Sequence, residues 1–173
     1  MISFVGTIEQ LNYSIWSYHI PVSHEITAEI IADGNRRVIC TINQSAIIHS
    51  ALMPLKGGSY VLVNKSIRNQ LSLNEGDKVQ VTLEKDTSEY GTPMPDSFRV
   101  LLDQDEIGSE YFYALTPGFQ RGLIYIVSKV KSIDSQLNKG MAILEHLTER
   151  KGQLDYKALN VKIKEYNQRS KMR

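Results

Sequence analysis

The chain has 173 residues, 20 Lys+Arg against 19 Asp+Glu, 42% hydrophobic residues and one cysteine. That length allows one domain with an appendage or two small ones, and the apolar content argues against wholesale disorder. One Cys excludes a disulfide framework and a Cys-rich zinc site, and no run approaches the roughly 20 apolar residues of a membrane helix. The start MISFVGTIEQLNY lacks the basic region of a signal peptide, so cytoplasm is the expected compartment.

The first half alternates with period two and is punctuated by turns. Phe4–Ile8 and Ile15–Ile20 read as strands. Ser23 then caps a helix over His24–Ala32, closed near Gly34. In Arg37–Ile42 the residues Val38, Cys40 and Ile42 fall on one face and Arg37, Ile39 and Thr41 on the other. Ala46–Leu52 is the next strand, followed by a Met53–Gly58 turn, a strand over Tyr60–Val63 and a short helix over Ser66–Leu71. Gly76 and Asp77 belong to a tight turn that leads into the alternating strand Val79–Leu83. Thr87–Pro95, rich in Thr, Ser, Gly and Pro, reads as a linker.

Helical periodicity takes over beyond it, in Asp96–Leu102 and Glu106–Leu115. Thr116-Pro117 is a helix start, and Phe119, Leu123, Ile126 and Val130 form an apolar stripe. Leu137, Met141, Leu144 and Leu147 form a second stripe. Asp155 caps a last helix with Tyr156, Leu159, Ile163 and Tyr166 on one face, and an exposed stripe there would signal a homo-oligomer. The expected fold class is α+β: a small split β-barrel of about six short strands and one or two short helices over residues 1–95, then a helical C-terminal extension over 96–173.

The near-zero net charge hides a division. Residues 1–95 carry −2, residues 96–113 carry −4 and residues 114–173 carry +7. Metal-ligand spacing is absent from His19, His24, His49 and His146, Cys40 alternates with core residues, and no phosphate loop, GxGxxG or GxSxG occurs. No catalytic residue, metal ligand or cofactor is therefore assigned. What remains is a basic and amide set in the β half, namely Arg37, Asn43, Lys65 and Arg68. An Arg fork and a Lys point charge at a strand-to-helix junction suit a small anionic ligand. Their plain alternative is pairing with Asp77, Asp86 or Glu89.

Arg37-Val38-Ile39-Cys40-Thr41-Ile42-Asn43 resembles the RV-x-G/C-T-I-N strand of a bacterial and archaeal domain family of unknown function. Lys65-Ser66-Ile67-Arg68 and Gly76-Asp77-Lys78-Val79-Gln80-Val81 are similar to the same family's later segment, and Asp86 and Pro95-Asp96 continue it. Phe112, Leu115, Ile126 and Lys129 resemble the helical segment of bacteriocin-protection or OmpD-associated proteins. The resemblance runs from about residue 4 to about 150 and implies a small split barrel with a helical extension; it brings no reaction and no catalytic residue. One departure is chemical: where such proteins show Trp-Ile, Ala-Lys and Thr-Arg, this chain has Tyr125-Ile126, Ser128-Lys129 and Asp134-Ser135-Gln136.

Three functions are ordered by this reading. First is a binding module using Arg37, Asn43, Lys65 and Arg68. Second is nucleic-acid binding through Lys157, Lys162, Lys164, Arg169, Lys171 and Arg173, with Tyr156 and Tyr166. Third is an enzyme in which Arg37 or Lys65 polarises a small anionic substrate and Asp77 or Asp86 serves as base.

Overall fold

Alternating side chains make strands only where a second surface covers the apolar face, and in the computed structural model two sheets cover each other. The structure describes residues 1–11 and 18–171, so Ile15, Trp16 and Ser17 of the expected second strand, and Arg173 of the basic set, lie outside the described residues. The chain divides into two compact units, Met1–Thr87 and Ser88–Arg173.

In the first unit, β1 (Ile2–Thr7), β8 (Lys78–Lys85), β4 (Arg37–Ile42) and β5 (Ala46–Ala51) form one antiparallel sheet in the order β1-β8-β4-β5. The second sheet is β2 (Glu9–Gln10), β3 (Tyr18–Ser23), β7 (Gly58–Leu62) and β6 (Met53–Leu55), in the order β2-β3-β7-β6. Val38, Cys40, Val81 and Leu83 of the first sheet share a core with Ile20, Val22 and Val61 of the second. Burial pushes the Cys40 thiol up to about 12, so it serves this core as an inert apolar group. The fold is α+β, as the alternation implies, with eight strands and two sheets that no ladder joins into a closed barrel among the described residues. The chain crosses between sheets at single fully buried residues, Ile8 and Leu52, whose backbone N–H groups donate to Asp77 and Arg36 carbonyls. The two strands that the sequence reading lacks are β2 and β6, only two and three residues long. Pro54 disguises β6 as a turn, yet an edge strand tolerates a residue with no N–H to donate.

Helix α1 (His24–Ile30) is capped by the Ser23 hydroxyl, which accepts from Ile26 N–H at 3.4 Å. Its far end is held by Lys85, whose ammonium donates to the Ile30 and Asn35 carbonyls and to Asp33. Helix α2 (Lys65–Leu71) begins at the Asn64 cap and ends on Ser72 in the left-handed region, and its Ile67 and Leu71 pack against the core.

The second unit holds α3 (Asp96–Gln104), α4 (Glu106–Ala114), α5 (Pro117–Ser128), α6 (Ile133–Glu149) and α7 (Tyr156–Lys171), with the other four packed on α6. Gly140 lets α3 approach closely, since a Cβ there would lie 2.6 Å from Leu101 Cδ1. The α5 stripe is displaced from expectation. Leu123, Ile124 and Val127 are buried and Phe119 is 45% exposed, because α6 covers a face rotated toward Ile124. On α6 the buried positions are Gly140, Ala142, Ile143, Leu144, His146 and Leu147, while Met141 is half-exposed. Leu159 and Ile163 of α7 are buried in this cluster with Tyr166 packed against it, so most of the stripe named as an oligomer signal is covered within the chain itself, while Tyr156 is exposed. The stretch read as a linker is also partly built in: Tyr90 is buried beside Phe112, and Arg121 donates to its carbonyl. No helix among the described residues is long and apolar enough to cross a membrane.

Candidate functional site

Four residues were expected to gather, and the length of β4 separates two of them, Arg37 and Asn43. Arg37 opens β4 and Asn43 follows its end, so six residue steps of extended chain, about 20 Å, separate them. Asn43 takes φ +49°, donates its N–H to the Gln80 carbonyl at 2.8 Å and accepts the Gln80 N–H on its side-chain oxygen at 2.9 Å. It extends the β4–β8 pairing past a turn. Lys65 is the exposed first residue of α2, where Asn64 Oδ1 already accepts the Ile67 N–H at 2.9 Å. Arg68, one turn on, lays its guanidinium over the Tyr18 ring, 3.6 Å from the centroid. Asn43 and Arg68 therefore have local partners of their own, and Lys65 is exposed beside the Asn64 cap.

Gly76 and Asp77 build the turn before β8. Gly76 sits at φ +89° and donates to the Ile8 carbonyl at 2.8 Å, while Asp77 Oδ2 accepts the Asn74 N–H at 2.7 Å. Asp77 is thus committed to the turn and is not a free base.

Arg37 has different company. It stands on the outer face of its sheet, opposite Ala51 on β5, and its carbonyl accepts the Asp86 N–H at 3.1 Å just beyond β8. The next outward row is His49–Ile39–Glu84. Residues opposite one another in a ladder point to the same side, so Arg37, His49, Glu84 and Asp86 share one end of this face. His49 Nδ1 and Asp86 Oδ2 meet at 3.1 Å, bridging over β4. The Asp86 side chain is 0% exposed and that of His49 is 24% exposed.

This arrangement has chemical consequences. A carboxylate only accepts, so the pairing makes Nδ1 the protonated nitrogen of neutral His49 and leaves the lone pair on Nε2. A buried acid orienting a partly exposed imidazole is the geometry of a proton-accepting pair. Arg37 brings a guanidinium fork to the same end of the face, where Asp86 and Glu84 balance its charge locally. The anion site expected at Arg37 thus carries its own counter-ions, and Asp86, named as a base, is instead the buried partner of one.

Sequence reasoning found no metal-ligand spacing at His49 and gave it no role. The signal that could have found it was the shared outward parity of Arg37 with its neighbours, but parity across strands needs a register, and register comes from the pairing. Among the described residues no group of three or more His, Cys, Asp or Glu could hold a metal ion.

Comparison with known proteins adds one match. Residues 4–83 fit a family described as a domain of unknown function (DUF1905), which spans nearly all eight strands and both short helices. No curated protein matches the chain.

Proposed function

We propose that the N-terminal unit is a cytoplasmic binding module for a small anion that also carries a hydroxyl group. The acidic group pairs with the Arg37 guanidinium at the end of β4, and the hydroxyl donates to His49 Nε2, which the Asp86 carboxylate holds ready. The single observation carrying this reading is the 3.1 Å His49–Asp86 bond over β4, next to Arg37. Local charge balance favours a singly charged ligand over a phosphate dianion. Of the broader expectation, Asn43 and Arg68 have turn and stacking partners of their own and Lys65 is exposed at the start of α2, so the proposed site is centred on Arg37. The helical unit is proposed as an extension of the bacteriocin-protection type on the strength of Phe112, Leu115, Ile126 and Lys129.

The test is an amide chemical-shift titration with 2-hydroxy acids, simple carboxylates and inorganic phosphate. Shifts confined to residues 37–39, 49–51 and 84–86, abolished in Arg37→Gln and weakened in His49→Gln, are the expected result. Shifts centred on Lys65, or none with any of the three classes at millimolar concentration, would overturn the reading.

A further inference from the structure

The basic residues of α7 fall into two populations. Lys162 is turned toward α6, 3.2 Å from Glu145 and 2.8 Å from Glu149, and Arg169 lies over the Tyr166 ring. Lys157, Lys164 and Lys171 are exposed and have no ion-pair partner among the described residues. Their spacing of seven residues is two helical turns, which sets them on one side of the helix about 10.5 Å apart. Asn160 and Gln168, also exposed, fill the gaps at helical spacing. Five hydrogen-bond-donating side chains thus form a row over about 21 Å, opposite the buried face of Leu159 and Ile163. Glu165 lies to one side of the row, and the large hydrophobics exposed on this helix are Val161 and, at its start, Tyr156.

We propose that this row is a docking surface for the phosphate backbone of duplex nucleic acid. The duplex is a line of negative charge, one per roughly 1.7 Å of axis, and lysine and amide side chains are ordinary donors to its phosphate oxygens. Lysines are point charges without the fork that reads guanine edges, so the binding is sequence-independent. A membrane fits less well, since one valine and one tyrosine at the helix start give too little apolar face to bury in lipid. The inference is independent of the ligand site in the N-terminal unit.

Fluorescence anisotropy with a labelled duplex of about 20 base pairs, in salt from about 20 to 150 mM, tests it on the whole chain. Three phosphate contacts give a slope of log K against log salt of about −2.7, and each Lys→Gln change removes about 0.9 of it. K157Q/K164Q/K171Q should lose the salt-dependent binding with its circular dichroism unchanged, while Lys78→Gln, exposed in the other unit, binds as the parent does. A slope near zero for the parent, a folded triple variant that binds equally well, or an equal loss in Lys78→Gln overturns the proposal. So does capture by phosphatidylserine vesicles with none by the duplex.

Discussion

The two units handle charge in opposite ways. In the sheet unit, the ionisable groups of the outer face are drawn together: a fully buried Asp86 carboxylate binds His49, and Arg37 stands across the ladder from it. In the helical unit they are sorted by face. Glu145 and Glu149 of α6 take Lys162, and the remaining α7 lysines are left pointing outward in a row. A sheet end can pull partners from three strands over one spot, so it builds a compact cluster with internal compensation. A helix displays what its periodicity dictates, so it builds a stripe. The first arrangement suits a small ligand and the second an extended one.

The comparison can be broken at several points. The largest effect is expected from Phe112→Ala, which empties the aromatic centre formed with Phe98, Tyr90 and Tyr113 and should cost about 4 kcal/mol in urea unfolding. If the units fold as separate domains, the sheet-unit amides keep their shifts and protection in this variant; a matching loss there would unite what the comparison separates. Next, Asp86→Asn keeps the volume but removes the buried charge under His49, and a loss of about 2 kcal/mol is expected. Lys162→Gln, which breaks two ion pairs to partly exposed glutamates of α6, should cost no more than about 1 kcal/mol. Equal costs for the two substitutions would erase the distinction between a fully buried carboxylate and a solvent-screened pair. Asn64→Ala removes the α2 cap and should lower the urea midpoint by an equivalent of about 1 kcal/mol.

The last effect is a slope. His146 is buried in α6 and accepts the Asp155 N–H on Nε2 at 3.2 Å. Burial first, then the nearby Arg150 charge, holds its pKa below the usual 6.5, with Asp155 and Glu149 opposing and Lys162 assisting. Between that lowered value and 6.5 the unfolded chain binds a proton that the folded chain does not, so stability rises with pH in this window. Melting temperature of the helical unit should therefore fall as pH drops below 6.5, and His146→Gln should level the slope. A flat profile in the parent protein would remove His146 from the account.

Much of this was legible in residues. Val38, Cys40 and Ile42 against Val79, Val81 and Leu83 announced two half-buried strands, and both lie in the core. Ser23 and Asp155 announced helix starts, and each accepts backbone N–H groups there. Phe119 misled because a helix stripe is wide enough to admit two neighbouring faces, and only the packing of α6 chose between them. Arg37, Asn43, Lys65 and Arg68 shared a charge type or polarity, which says nothing of distance. His49 was invisible because its partner lies 37 residues away.

The sequence alone determined the division into a period-two half and a period-3.6 half, the turn at Gly76-Asp77 and the shift of positive charge to the end of the chain. These are local properties, set by side-chain alternation, backbone freedom and composition. Tertiary structure decided which strands pair, that two sheets form and no closed barrel, and that Asp86 is buried beneath His49. Each of those depends on register between distant segments, which the burial of apolar faces selects and no single stretch of sequence encodes.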